Sequence, residues 1–187
     1  MHDTEDKDWW VIAGGKKEEQ FVKEICPRIC LDAQINPAKE KDKYAPDLLV
    51  EGKLADLKCQ QTPFFRAWER YRIPHQFAVT FNHKDYLRYT AKYPNLVIYY
   101  WVDWKETKKK IGNTIYIVQS MSGVWRVGFP TLSAMIAGKK VDLHPYERRR
   151  NDTQGNAKES YVFDCREFEK LFYKGPDFTP IAIFKSV

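Results

Sequence analysis

The run Asn95–Trp104, NLVIYYWVDW, sets the tightest limit on what this chain can become. It is too apolar for a ribbon lying on a protein surface, so it must be a buried strand with other layers packed over it. The segments around it supply such layers. Residues 16–26 carry Phe21, Val22 and Ile25 at helical spacing after a Gly14-Gly15 break, and Pro27 interrupts the helix. The polar stretch NPAKEKDKYAP is a loop leading into APDLLVEGKLADLKCQ, two short apolar runs around a turn of Glu51, Gly52 and Lys53. Thr62-Pro63 predicts a helix start before FFRAWERYRI. HQFAVTF reads as a strand, and Asn82 as the cap of a helix to about Tyr93 with Asp85 at its third position.

Beyond the buried run, NTIYIVQS and GVWRVGF read as strands, and Pro130–Ala137 as a short helix ended by Gly138. After a basic polar segment come strand YVF, a helix from Asp164 to Phe172 and a final strand within TPIAIF. The order predicts an α/β or α+β fold, a central β-sheet flanked by helices. With 187 residues, no internal repeat and no long linker, the chain is expected to be a single domain over 1–187. Residues 1–14 are expected to form a flexible N-terminal segment ahead of a core motif region at 16–82.

A composition of 43% apolar and 15% aromatic residues argues against disorder. No run reaches the roughly eighteen apolar residues of a membrane span. The start MHDTEDKDWW is acidic and unlike a secretory signal, so a soluble cytoplasmic protein without a membrane partner is expected. The net charge of +6 suits a polyanion. Cys26, Cys30, Cys59 and Cys165 have no zinc-site spacing and are expected to be reduced and mostly buried.

Three charges are out of place in the hairpin. Side chains alternate along a strand, so Ala55, Leu57 and Cys59 share one face while Asp56, Lys58 and Gln60 share the other. Antiparallel pairing brings Asp47, just after Pro46, to the same end of the sheet. Two converging carboxylates desolvate and repel each other, so a cation is expected between them. Mg²⁺ takes hard oxygen ligands, keeps several waters and lowers the pKa of one of them. Lys58 can then orient that water and offset charge on a phosphorane, and Gln60 can reach substrate or water from the same face. On the preceding helix, Glu18 falls near the centre of the arc defined by Phe21, Val22 and Ile25, with Glu24 as second choice for an inward acid.

Pro46-Asp47, eight residues, then Asp56-Leu57-Lys58 resembles the PD-(D/E)XK nuclease superfamily, which includes restriction endonucleases and Holliday-junction resolvases. Other acid-x-Lys triplets, such as Glu51-Gly52-Lys53 and Asp103-Trp104-Lys105, lack the upstream Pro-Asp and the preceding helix. The resemblance covers residues 16 to about 82. It implies a restriction endonuclease-like core and Mg²⁺-dependent hydrolysis of DNA, with Mn²⁺ substituting. It also implies Asp47 and Asp56 as metal ligands, the Leu57 carbonyl as a backbone ligand, Lys58 as the catalytic lysine and Glu18 as the helix acid. An endonuclease is expected, with a homodimer as the arrangement that would cut both strands; the competing reading is a nucleic-acid-binding or assembly protein that keeps the fold without turnover. His144, Arg148, Arg149, Arg150 and Lys158 form a basic loop suited to phosphates, or simply a solvated one. His75 and His83 read as ordinary surface or capped histidines, TKKK as a solvated hairpin tip, and Phe64, Phe65, Trp68 and Tyr71 as core packing.

Overall fold

A computed structural model describes residues 8–146, 158–176 and 184–185. The elements in chain order are α1 (Asp8–Gln20), β1 (Ala33–Ile35), β2 (Leu48–Val50), β3 (Lys53–Gln60), α2 (Ala67–Tyr71), β4 (Ala78–Asn82), α3 (His83–Lys92) and β5 (Val97–Trp104). They continue with β6 (Thr107–Ile111), β7 (Thr114–Val118), β8 (Met121–Gly128), α4 (Phe129–Ala137), β9 (Asp142–Pro145), β10 (Glu159–Asp164), β11 (Glu169–Lys174) and β12 (Phe184–Lys185). The architecture is mixed α/β around a central mixed sheet, in the order β1-β2-β3-β5-β8-β11. Only the β3–β5 pair in that sheet is parallel. Parallel neighbours need a long crossover, and α2, β4 and α3 provide it. Two smaller sheets, β4-β10-β9 and β12-β7-β6, complete the described strands.

Strand β5 is the buried run foreseen above. Its alternate residues feed two separate cores: Tyr99 and Trp101 meet Phe21, Leu48, Leu57 and Val124 on one face. Ile98, Tyr100 and Val102 meet Val79, Tyr89, Trp125 and Phe129 on the other. From Ile98 to Val102 every side chain is buried, which is why the run reads as continuously apolar. In β8, Gly123 leaves the space that the Trp125 ring fills: a Cβ there would lie 2.5 Å from that ring.

Several local expectations are corrected. The Gly14-Gly15 pair does not break α1, which runs through both glycines; each weakens a helix by only about 1 kcal/mol relative to alanine. The helix then widens into a π-turn over Phe21–Ile25 and tightens into a 3-10 turn over Cys26–Ile29 at Pro27. The hairpin turn has two residues, not three: Val50 pairs with Lys53 across Glu51 and Gly52, whose φ values are +50° and +74°. Both central residues at positive φ match the twist of a tight hairpin. Helix α2 begins at Ala67 rather than at Thr62-Pro63, and TKKK lies within β6 instead of at a tip. Asp164 caps a single 3-10 turn, Cys165–Glu167, after which the chain is strand β11 and not helix. Of the cysteines, Cys26 and Cys165 are buried, Cys30 and Cys59 are exposed, and all four are unpaired. Trp68 is exposed, whereas Phe65 packs in the core.

His75 is also a correction, since it is buried. Its ring meets Tyr116 edge-on at 5.5 Å, and its Nδ1 has no hydrogen-bond partner among the described residues. Burial lowers its pKa below the usual value, against a smaller opposing pull from Glu69. The unfolded chain therefore takes up a proton near pH 6.5 that the folded protein declines. Stability is full above about pH 6.5 and falls as the pH drops toward the depressed folded value. His75→Gln is expected to flatten the slope of unfolding free energy against pH below about pH 6.5. An unchanged slope in urea titrations would assign that proton elsewhere.

Candidate functional site

The two-residue turn decides where the acids meet. Its register pairs Leu48 with Ala55, and one further step sets Asp47 opposite Asp56. Because β2 begins only at Leu48, the adjoining edge of β3 lacks a strand partner beyond that point, and Asp47 fills the gap. Its Oδ2 accepts a hydrogen bond from the Leu57 N–H at 3.0 Å. Its Oδ1 lies 2.5 Å from Lys39 Nζ, and that same ammonium donates to Glu18 Oε1 at 2.5 Å. Glu18 is thus the buried acid of the first helical segment, while Glu24 is exposed and bonded to Gln20.

A second cluster adjoins the first. Asp56 is only 2% exposed, lies 2.7 Å from Lys58 Nζ through Oδ2 and accepts from the Tyr89 hydroxyl through Oδ1. Lys58 Nζ also donates to Asp85 Oδ2 at 2.5 Å, and Arg88 donates to Asp85 Oδ1 at 2.5 Å. Strand β3 and helix α3 therefore grip Lys58 between two buried carboxylates. The ammonium also lies over the Phe81 and Tyr89 rings, 5.5 and 5.7 Å from their centroids.

The electrostatics follow from this crowding. Burial, then the charges of Asp56 and Glu18, push the Asp47 carboxyl well above the usual carboxylate range, against the pull of Lys39 and Lys58. Burial disfavours the charge on Lys58, yet Asp56 and Asp85 outweigh it and hold the ammonium pKa well above its ordinary value. Lys39 behaves in the same way between Asp47 and Glu18. Four acids (Glu18, Asp47, Asp56, Asp85) here face three cations (Lys39, Lys58, Arg88). The clusters are joined through the Asp47–Asp56 repulsion.

Among the described residues, no three His, Cys, Asp or Glu side chains are arranged as a metal cage. The donor chemistry nevertheless suits a hard divalent ion. Glu18 and Asp47 each aim one oxygen at a single cationic point, 2.5 Å from Lys39 Nζ. Asp56 Oδ2 is buried and, beyond its ion pair with Lys58, makes no hydrogen bond with described residues. Oxygen donors converging on one cation are what Mg²⁺ requires.

Other expected site residues lie elsewhere. Gln60 Nε2 donates to the Ala78 carbonyl at 2.9 Å, so it ties β3 to β4. His144 is corrected from a phosphate-facing role: it is buried, its Nδ1 is 2.7 Å from the Tyr71 hydroxyl, and its ring sits among Phe64, Tyr71 and Tyr146. A ring enclosed in this way cannot track a backbone. Lys158 is exposed, with its carbonyl accepting from the Tyr146 N–H. Arg148, Arg149 and Arg150 lie outside the described residues. A cleft of about 510 Å³ opens at the other end of β3, against Lys53, Leu54, Tyr99 and Arg126, and none of the clustered acids lines it.

Sequence reasoning missed Lys39, Asp85, Arg88 and Tyr89 as members of the cluster. Asp85, Arg88 and Tyr89 stand three and four residues apart, a spacing that puts them on one helix face and was legible. Lys39 sits in a 3-10 turn over Pro37–Glu40, where no periodicity marks it. Compared with known proteins, the chain matches no protein-family model, no curated protein and no solved structure. No helix among the described residues is long and apolar enough to cross a membrane.

Proposed function

We propose that this protein is a divalent-metal-dependent nuclease of the PD-(D/E)XK type that hydrolyses DNA phosphodiester bonds, most readily as an endonuclease. The observation that carries the reading is that Asp47, held by the Leu57 N–H and joined to Glu18 through Lys39, adjoins the Asp56–Lys58 pair at the point where β3 outruns β2. The order of helix, hairpin, crossover and parallel strand supports a restriction endonuclease-like core.

Glu18, Asp47, Asp56 and the Leu57 carbonyl would hold Mg²⁺ or Mn²⁺. A bound ion of this kind supplies charge neutralisation at a phosphate oxygen and a water acidic enough to attack near neutral pH. The protein's own groups do the rest. Lys58, fixed by Asp56 and Asp85, presents a permanent positive charge beside the reacting phosphate. Tyr89 and the Leu57 N–H orient Asp56 and Asp47, so neither carboxylate must be reorganised during reaction. The net charge of +6 favours approach of a polyanion.

A second reading, a nucleic-acid-binding or assembly protein without turnover, gains from one observation: lysines already neutralise the acids. Incubation with supercoiled plasmid separates the two. Nicking or linearisation is expected with Mg²⁺ or Mn²⁺, abolished by chelator and by Asp47→Asn. Retention of plasmid in gel shifts without cleavage, across duplex, branched and single-stranded substrates, would establish the binding reading instead.

A further inference from the structure

Lys39 has no place in the nuclease motif, yet it makes the closest cationic contact of the first acid cluster. Its position is built rather than incidental. The turn that carries it is capped by Asn36, which is buried and accepts from the Ala38 N–H at 3.1 Å. Asn36 also donates from Nδ2 to the Pro46 carbonyl at 2.8 Å, and from its backbone N–H to the Asp47 carbonyl at 2.9 Å. The turn is thus tied to the segment that bears Asp47. From there the Lys39 ammonium reaches Asp47 and Glu18 together, with its side chain only 19% exposed.

We propose that Lys39 is an intramolecular counter-cation that occupies the Glu18–Asp47 position until a divalent ion displaces it. This rests on the metal-site reading above. The two acids come from segments far apart in sequence and repel each other, so they need a cation between them to stay converged. A tethered ammonium meets that need with a single charge. A divalent ion offers twice the charge and wins the same oxygens, but only from molecules in which Lys39 has swung away. The apparent dissociation constant then equals the intrinsic one divided by the open fraction. Metal affinity is weakened by the protein's own side chain, and the metal-free protein keeps its acids assembled.

The test measures metal binding without DNA. Mn²⁺ is titrated calorimetrically into the wild-type protein and into Lys39→Met, Lys39→Arg and Lys41→Met. Lys41 is exposed and supplies a control for loss of one positive charge nearby. Lys39→Met is expected to bind Mn²⁺ about tenfold more tightly than wild type, an open fraction near one in ten being removed from the constant. Lys41→Met is expected to match wild type, and Lys39→Arg to bind no more tightly than wild type. The Mn²⁺-induced rise in Tm should also be larger for Lys39→Met, because its acids lack a cation when metal is withheld. Equal affinities for wild type and Lys39→Met, with Mn²⁺ bound by both, would overturn the displacement and leave the nuclease reading intact. Weaker binding by Lys39→Met would overturn it too, showing that Lys39 helps to hold the ion. Failure of every protein to bind Mn²⁺ would remove both the displacement and the metal site. If Lys39→Met does not fold, Lys39→Gln is measured by the same titration against the same controls.

Discussion

Lys58→Met is expected to lower the plasmid-nicking rate by about 10²–10³-fold, the usual loss when a preorganised charge stabiliser is removed from an active site. The same variant is expected to lose stability. In the native protein the Lys58 ammonium lies between Asp56 and Asp85, both at 2% exposure. Methionine keeps much of the side-chain volume but leaves two buried carboxylates without their shared cation. Breaking a buried pair on one side costs about 3–5 kcal/mol. For a chain of this size that corresponds to a fall in Tm of about 10 °C. Adding Asp56→Asn removes the carboxylate that loses its ion pair, Asp85 still holding Arg88, so the double variant should recover part of the stability and none of the rate. Such a cycle separates the two roles of Lys58 because its two readouts move differently. A variant with wild-type nicking would remove Lys58 from the chemistry, whatever its Tm.

Phe21→Ala carries the second large effect, and it acts through the fold. Phe21 is fully buried, its ring centroid 6.2 Å from that of Tyr99 and 5.8 Å from that of Trp101. It anchors the first helical segment to the sheet face opposite the α3 core. Truncating a buried phenylalanine costs about 3–5 kcal/mol through lost burial and the cavity left behind. Glu18 lies one helical turn before Phe21, so a loosened anchor also frees the helix acid from Asp47. Urea unfolding should report the stability loss. Mn²⁺ titration of the folded fraction should report weaker binding, in contrast to the tightening expected of Lys39→Met. A Phe21→Ala protein as stable as wild type would mean that this core relaxes around the gap.

These two variants also mark what the chain disclosed in advance. The apolar run at Asn95–Trp104 announced a doubly covered strand, because alternate residues of β5 enter opposite cores and those from Ile98 to Val102 cannot be polar without cost. Asp47, Asp56 and Lys58 were legible because charges in a hairpin violate the apolar pattern around them. Glu18 was legible for the same reason on a helical arc. Lys39 was not, and neither was the pairing of Asp85 with Lys58, although the helix face that Asp85 shares with Arg88 and Tyr89 could be read. An acid in the first turn of a helix already has a local explanation, and a lysine in a polar loop has many. Glu18 is 21 residues from Lys39 and Lys58 is 27 from Asp85, beyond any local pattern.

Local chemistry by itself determined the buried strand, the hairpin and the presence of acids that needed a cation, since propensity, periodicity and charge act over a few residues. Only the tertiary structure decided which cations answer those acids. It did so by closing one turn at two residues rather than three, and by packing α3 and the Pro37–Glu40 turn against the same strand end. A one-residue change of register would carry Asp56 to the other face of β3, because successive side chains point opposite ways.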